Sequence, residues 1–221
     1  MQVLKGKICL VAGATRGAGR GIACMLGQAG ATVYCTGRSS HFGPPSSRGK
    51  TASPPGGGGA AFELASRPET IEETAEMVTA YGGLGIPVPV DHTREDQVQA
   101  LFERVRAEQG RLDVLVNDVW GGDELSEWGK PFWELSIAKG LLMQQRAVHS
   151  HIITSRYAVP LMLKRHQSRP AGRQGLIVEI TDGDTPTYRG NSFTTWPRPR
   201  SSAWRMPCPK SCAPTASARW R

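Results

Sequence analysis

The chain has 221 residues, of which 39% are hydrophobic and 21% charged, a composition typical of one globular domain. No apolar run approaches the roughly 18 residues that a membrane span needs, and no export signal is visible at the start, so we expect a cytoplasmic protein without a membrane partner. The formal net charge of +8 is concentrated in residues 194–221, which hold five Arg, one Lys and no acidic residue. The other 193 residues carry 21 basic and 19 acidic side chains and are nearly neutral.

Apolar runs of strand length alternate with segments of helical period, the pattern of βαβ units around a parallel sheet. Five strands are predicted, at residues 7–12, 31–36, 85–90, 112–116 and 175–181. Helices are predicted at residues 17–29, 66–81, 94–109 and 148–164. Ser66 is expected to cap the second helix, with Pro68 and Glu69 in its first turn, and Met25 and Tyr81 are expected on buried helix faces. The fold class is therefore α/β, a doubly wound parallel sheet of Rossmann type.

Two segments interrupt this pattern. Residues 40–66 contain repeated Pro and Ser and four consecutive Gly, and are predicted to form a flexible loop. Residues 194–221 contain five Pro and three Trp but no Leu, Ile, Val, Phe or Tyr, which predicts neither a packed strand nor a helix. We expect one domain over residues 1–193 and a disordered basic tail over 194–221, with the C-terminal strands and helices of a complete doubly wound sheet missing.

A glycine-rich motif stands between the first strand and the first helix, with the sequence Ala12-Gly13-Ala14-Thr15-Arg16-Gly17-Ala18-Gly19. Its three glycines permit a tight turn and a close backbone approach, so that amide groups at the start of the helix can hold a pyrophosphate. The order of strand, glycine loop and helix favours dinucleotide binding over a merely glycine-rich turn.

The spacing G-x-x-x-G-x-G, followed by Thr36-Gly37-Arg38 at the end of the second strand, resembles the short-chain dehydrogenase/reductase family. Asp91 follows the third strand, where that family places an acidic residue near the adenine. The segment Val116-Asn117-Asp118-Val119-Trp120-Gly121 resembles its Asn-Asn-Ala-Gly element, with Asp118 and Val119 as departures. The resemblance covers residues 5–193 except the loop at 40–66. It implies hydride transfer between a nicotinamide dinucleotide and a small-molecule carbonyl or secondary alcohol.

The charge at the end of the second strand bears on the choice of cofactor. An acidic residue there would bind the ribose 2′-hydroxyl of NAD, whereas an arginine accommodates the 2′-phosphate of NADP. Arg38 stands at that position and Arg16 lies in the glycine loop, so we expect NADP(H) to be preferred over NAD(H). The alternative is that both arginines are solvated surface charges. The residues expected to hold the cofactor are Gly13, Thr15, Arg16, Gly17, Ala18, Gly19, Arg38, Asp91 and Asn117.

The catalytic residues that the resemblance implies are largely absent. The family has a Ser at the end of the fifth strand, a position that falls at Thr181 or Asp182, and Thr181 offers a hydroxyl. It also has a Tyr-x-x-x-Lys pair on the following helix, in which the Lys lowers the pKa of the Tyr. The tyrosine is due near residue 194, where the chain reads Thr-Thr-Trp-Pro-Arg over residues 194–198. Tyr188 and Tyr157 are poor substitutes, and His149 and His151, which could titrate near neutrality, are expected to be surface or locally paired residues.

The missing pair predicts a catalytically impaired chain, and the abrupt change of composition after Phe193 predicts a shift of reading frame there. The alternatives are a non-catalytic dinucleotide-binding protein and a product without function. No metal site is expected, because Cys208 and Cys212 lack the spacing and neighbouring His of a zinc site. Nucleic-acid binding is not expected, since the charge of the tail is unpatterned, and a homo-oligomer is expected only of a chain with the missing helices.

Overall fold

The computed structural model describes residues 2–41, 69–164, 175–181 and 204–205. Their strands form one sheet in the order β3-β2-β1-β4-β5-β6. The strands are β1 Ile8–Ala12, β2 Thr32–Gly37, β3 Leu84–Pro89, β4 Val114–Asn117, β5 Leu176–Glu179 and β6 Trp204–Arg205. Strands β1 to β5 are parallel, and β6 pairs antiparallel with β5. The predicted parallel sheet of doubly wound type is confirmed.

The α-helices of the described residues lie on both faces of this sheet. They are α1 Gly17–Gln28, α2 Ile71–Ala80, α3 Glu95–Gln109, α4 Ile137–Gln144 and α5 Ser150–Lys164. A π-helical turn at Gln145–His149 joins α4 to α5 without a break. Side chains on one side of the sheet pack with α3 and α5, and those on the other side pack with α1 and α2.

Strand β1 lies at the centre of both cores. All five of its residues are buried, with alternate side chains in the two opposite apolar clusters. This double burial explains why its sequence is a continuous apolar run rather than an alternating one. The strand order reverses between β1 and β4, because β2 and β3 lie on one side of β1 while β4 and β5 lie on the other. In parallel α/β sheets, ligands bind in the crevice beyond the carboxyl ends of the strands at such a reversal.

The start of α2 differs from its prediction. Its N-cap is Thr70, whose side chain accepts a hydrogen bond from the Glu73 N–H, while the Glu73 carboxylate accepts one from the Thr70 N–H. This reciprocal capping box satisfies two backbone donors at the helix start, which is why the helix begins there and not at Ser66. Glu69 therefore precedes the helix, and Ser66 and Pro68 lie outside the described residues.

The predictions for two buried helix residues were wrong. Met25 is 55% exposed and Tyr81 is 49% exposed. The buried face of α1 is made of small residues because the helix approaches its neighbours closely, so that a Cβ at Gly27 would lie 2.7 Å from the Val78 carbonyl oxygen. Larger side chains are displaced to the rim of the helix. The apolar period identified the helix but not the position of its contact face.

Ser40 and Trp204–Arg205 differ from the loop and the tail that the sequence predicts. Ser40 begins the predicted flexible loop, yet it is buried and its hydroxyl donates to the Glu72 carboxylate at 2.5 Å. Trp204–Arg205 pairs with β5 although no strand was expected in the tail, because backbone pairing at an open sheet edge requires no apolar side chains. The remainder of the loop at 40–66, Asp182, Tyr188 and the rest of the tail lie outside the described residues. No helix among the described residues is long and apolar enough to cross a membrane.

Candidate functional site

The glycine loop packs directly against the segment that follows β4. The N–H groups of Gly13 and Ala14 both donate to the Thr36 carbonyl oxygen at 2.9 Å, which ties the loop to the end of β2. A Cβ at Gly13 would lie 2.5 Å from the Asp118 carbonyl oxygen, and one at Gly19 would overlap the Gly13 carbonyl. Only glycine fits at either position, so backbone meets backbone where β1 and β4 separate.

Helix α1 begins inside this loop. Arg16 is the N-cap residue with extended backbone, its side chain makes no capping hydrogen bond, and the first turn of the helix contains no acidic residue. The Asp118 carboxylate lies beside this turn, with its Oδ2 2.7 Å from the Cβ position of Gly19. Gly17 has a φ of +60°, and both it and Ala18 are exposed. The first N–H groups of a helix carry partial positive charge and lack intrahelical partners. The start of the helix and the glycine cradle therefore fit an anionic pyrophosphate.

Arginine side chains lie at the end of β2. The Arg16 guanidinium donates to Ser39 Oγ at 3.2 Å. Arg38 is exposed, and its Nη2 lies 3.1 Å from the position that a Cβ would take on Gly121. Thr15 is buried, and its hydroxyl oxygen lies 2.5 Å from the position that a Cβ would take on Gly37. The two guanidinium groups that the sequence singled out are thus both at the carboxyl edge of the sheet.

Asp91 lies two residues after β3, and Asn117 is the last residue of β4, so both residues are at the carboxyl edge of the sheet. Asp91 Oδ1 accepts hydrogen bonds from the N–H and the hydroxyl of Thr93 at 3.0 and 2.7 Å. Asn117 is fully buried, and its Nδ2 donates to Glu179 Oε1 at 2.6 Å and to Ser155 Oγ at 3.0 Å. Its Oδ1 is buried and has no hydrogen-bond partner among the described residues. A ligand with a hydrogen-bond donor would satisfy this oxygen, since buried polar atoms are normally paired.

A groove of about 400 Å³ runs between α5 and the end of β5. Its polar lining consists of His151, Ser155, Arg156, Glu179 and Thr181, and its apolar lining comes from the π-helical turn, from α5 and from the residue after β5. Thr181, the residue expected to take the place of the family's serine, therefore lies in a cavity at the carboxyl edge of the sheet.

A buried polar cluster beneath this groove includes a residue that the sequence interpretation missed. His151 Nδ1 lies 2.7 Å from Glu179 Oε2, and His151 Nε2 lies 3.1 Å from the Val119 carbonyl oxygen. The signal for Glu179 was available, because a charged residue ends the otherwise apolar strand β5. Of the two alternatives expected for His151, a surface residue or a locally paired one, the structure shows the locally paired one.

His92 forms a second buried link, between β2 and α5. Its Nε2 lies 2.8 Å from the Thr36 hydroxyl and its Nδ1 lies 2.9 Å from the Thr154 hydroxyl. Burial, and after it the charge of the neighbouring His151, lower the pKa of His92 to about 4. His92 is therefore a neutral residue that joins two elements beneath the site.

The remaining candidates lie elsewhere. The Tyr157 hydroxyl donates to Glu95 Oε1 at 2.8 Å, which raises the pKa of this tyrosine, and His149 is exposed. Over residues 2–41, 69–164, 175–181 and 204–205, no group of three or more His, Cys, Asp or Glu is arranged to hold a metal ion.

Comparison with known proteins identifies the family. The sequence profile described as short chain dehydrogenase matches residues 57–185. Human dehydrogenase/reductase SDR family member 1 is 36% identical over 191 residues, which are 85% of this chain and 50% of that protein. The mouse protein of the same name is 36% identical over 181 residues, covering 80% of this chain and 47% of that protein. The chain thus spans about half the length of these curated relatives.

Two solved structures share the fold. A metagenomic short-chain oxidoreductase in complex with NADP has a TM-score of 0.60 at 21% identity, covering 88% of this chain and 69% of that one. An NADH-dependent reductase complexed with NAD has a TM-score of 0.63 at 17% identity, covering 88% and 67%. With its parallel sheet, its glycine loop and its matched profile, the chain belongs to the short-chain dehydrogenase/reductase family of NAD(P)-dependent oxidoreductases.

Proposed function

We propose that this chain binds NADP(H) as the cofactor-binding part of a reductase that acts on a carbonyl or secondary alcohol. The single observation that carries the proposal is the backbone cradle of Gly13 and Gly19 at the start of α1. This cradle would hold the pyrophosphate by backbone N–H groups. When bound, the cofactor supplies or accepts the hydride of the reaction.

The other predicted residues take supporting roles in this proposal. Arg16 and Arg38 would hold the 2′-phosphate, because guanidinium groups match phosphate oxygens in geometry and charge. Asp91 would lie toward the adenine, and Asn117 would offer its unpaired Oδ1 to a donor of the bound ligand. Thr15, Gly17 and Ala18 complete the loop around the phosphates.

We further propose that catalysis by this chain is impaired. Thr181 can steady a carbonyl oxygen, but residues 194–198 contain neither a Tyr nor a Lys. Losing a positioned acid typically slows a reaction by about 10²- to 10⁴-fold. A second candidate function follows from the same observation, namely a dinucleotide-binding protein that does not catalyse hydride transfer. Hydride transfer to a reactive carbonyl in the presence of saturating NADPH distinguishes the two.

Titration of the full chain with NADPH and with NADH, followed by intrinsic fluorescence, tests cofactor binding and preference. NADPH is expected to bind more tightly, and Arg38→Asp is expected to lower the ratio of the two affinities about 10-fold, allowing for the exposure of Arg38. Arg106→Asp, an exposed arginine on α3, is the matched control and should leave the ratio unchanged. Absence of NADPH binding, or an unchanged ratio in Arg38→Asp, would contradict the proposal.

A further inference from the structure

We propose that His151 and Glu179 together hold a transferable proton, and that His151 donates it to the oxygen of a carbonyl compound bound in the groove beside β5. The inference rests on the proposed function, because it supplies the proton that carbonyl reduction needs when Tyr and Lys are missing. No part of the family's Tyr-x-x-x-Lys chemistry is used.

The hydrogen-bond partners of the His151 ring determine how many protons the His151–Glu179 pair holds. His151 Nδ1 faces the Glu179 carboxylate at 2.7 Å, and Nε2 faces the Val119 carbonyl oxygen at 3.1 Å. A neutral imidazole has a single N–H, while a carbonyl oxygen only accepts. Both contacts are hydrogen bonds only if the ring is protonated twice, or if a neutral ring faces a protonated carboxyl group. In either distribution the pair holds one proton more than a neutral imidazole beside a carboxylate.

The second argument is that the pair is fixed in position. Glu179 and Asn117 are register partners on adjacent parallel strands, and Asn117 Nδ2 donates to Glu179 Oε1 at 2.6 Å. The side chains of His151 and Glu179 are each only 10% exposed. A low local dielectric strengthens the interaction within such a pair. The carboxylate thus orients the ring in the way that a third group orients a catalytic base.

The third argument is access to a ligand. His151, Ser155, Glu179 and Thr181 line the same groove of about 400 Å³. The contact between Nε2 and Val119 is the longer of the two ring contacts, and it is the one that a ligand oxygen would replace while Nδ1 stays on Glu179.

Other proton carriers at this edge are less suited. Burial lowers the pKa of His92 to about 4, so it carries no additional proton at neutral pH. The Tyr157 hydroxyl is held by Glu95, and its pKa is raised. The charged or titratable groups that face His151 are Glu179 from β5, His92 from the segment after β3, and Arg156 along the groove.

The proposed step balances as a carbonyl reduction. When bound, the reduced cofactor would supply a hydride to the carbonyl carbon, and the carbonyl oxygen, which would gain the electron pair of the C=O π bond, would take the proton from His151 Nε2. The products would be a secondary alcohol, the oxidised dinucleotide and a His151–Glu179 pair that has lost one proton. Water returns this proton to His151.

The first experiment counts protons on the pair in the unmodified chain. Nitrogen-15 spectra of the imidazole rings and carbon-13 spectra of the carboxyl groups are recorded at pH 7, with Glu179→Gln used for assignment. We expect N–H on both ring nitrogens of His151, or a protonated Glu179 beside a neutral ring. A neutral ring beside an ionised carboxylate would overturn the proposal.

The second experiment measures NADPH oxidation with excess isatin as the carbonyl probe. His151→Gln is expected to lower the slow rate of the unmodified chain at least 10-fold, with NADPH affinity unchanged. His149→Gln, which alters an exposed histidine of the neighbouring turn, should change the rate less than twofold. An unaltered rate in His151→Gln, or no turnover by unmodified chain that binds NADPH, would overturn the proposal. Failure of the proposed function is separately visible as loss of NADPH binding.

Discussion

Asp118 carries a negative charge next to the loop that we propose to bind an anionic cofactor. Its Oδ2 lies 2.7 Å from the Cβ position of Gly19, in the first turn of α1, and its N–H donates to the Ala12 carbonyl oxygen at 2.8 Å. A carboxylate near a helix N-terminus interacts favourably with the helix dipole. The same negative charge repels a pyrophosphate at that place.

We therefore predict that Asp118→Asn raises the affinity for NADPH. Removing a carboxylate near the phosphates should contribute about 0.5–1 kcal/mol, which corresponds to a gain of roughly 2- to 5-fold. Fluorescence titration at low and high salt is the measurement, and the gain should shrink with salt because exposed charges are screened. Asp96→Asn at the start of α3 is the control. Equal or weaker binding by Asp118→Asn would contradict this electrostatic account.

His92 gives the fold a predictable dependence on pH. Its pKa is lowered to about 4 in the folded chain, against an ordinary value of 6.5. Between these values the unfolded chain binds more protons, so the free energy of unfolding decreases as the pH falls from 6.5 to 4 and is steady above 6.5. The full effect is about 3 kcal/mol.

Urea unfolding at pH 7.5, 6.0 and 5.0 measures this loss. We predict that His92→Gln flattens the change, because an amide keeps hydrogen bonds to both Thr36 and Thr154 without titrating. His149→Gln should retain the slope of the unmodified chain. The assignment to His92 is wrong if its variant loses stability with pH as steeply as the original.

At the scale of elements, the contact between α2 and β3 depends on a glycine. A Cβ at Gly85 would overlap the backbone of Ala75, whereas one at Gly21, on the exposed side of α1, would meet no atom within 4 Å. Gly85→Ala is therefore expected to lower the free energy of unfolding by about 2 kcal/mol or more, through forced displacement of α2. Gly21→Ala should instead raise it by about 1 kcal/mol through helix propensity. Denaturant unfolding of both variants distinguishes backbone crowding from a general effect of the extra methyl group, which would shift both in the same direction.

Side-chain burial and strand pairing explain which elements the sequence could predict. Strands β1 and β2 and helix α3 were recoverable, because their apolar residues coincide with burial, as at Val98, Leu101 and Val105. Helix α4 was missed since its large side chains Ile137 and Leu141 are 70% and 62% exposed, so the apolar period does not mark its buried face. Strand β6 depends on backbone pairing with β5, which side-chain patterns do not record.

The candidate site was predictable to the extent that it depends on local motifs. The glycine loop follows from the order of strand, loop and helix, and its steric need for glycine at Gly13 and Gly19 agrees with that interpretation. The pairing of His151 with Glu179 joins residues 28 positions apart and exists only through the packing of α5 on β5. Such contacts between distant segments require the tertiary structure.

Most of the fold that the structure describes precedes Phe193, whereas the Tyr-x-x-x-Lys pair that catalysis needs is due after it. Strands β1 to β5, the glycine loop and the groove lie before it, and the composition changes immediately after it. We propose that residues 194–221 are encoded in a shifted reading frame of a gene for a complete reductase. The change falls one residue before the tyrosine of the family's pair is due.

The genetic code makes this proposal testable. Thr194 and Thr195 are encoded by ACN codons, Trp196 by TGG and Pro197 by CCN, so one T restored after Phe193 yields TAC, NAC, NTG and GCC. These codons specify Tyr, then one of Tyr, His, Asn or Asp, then Leu, Met or Val, then Ala. The next codon is AAG, for Lys, if Pro197 is CCA and Arg198 is an AGR codon. The restored frame can therefore encode Tyr-x-x-x-Lys at the expected position.

We predict that the gene has an AGR codon at Arg198 and that the restored frame stays open for some tens of codons. A CGN codon at that position, or early stop codons in the restored frame, would refute the proposal. Expression of the repaired gene is the functional measurement. Because a tyrosine with a nearby lysine supplies a positioned acid, NADPH-dependent carbonyl reduction should rise by about 10²- to 10⁴-fold over the original chain. The increase should be lost when the restored tyrosine codon is changed to phenylalanine, which separates recovered catalysis from recovered folding.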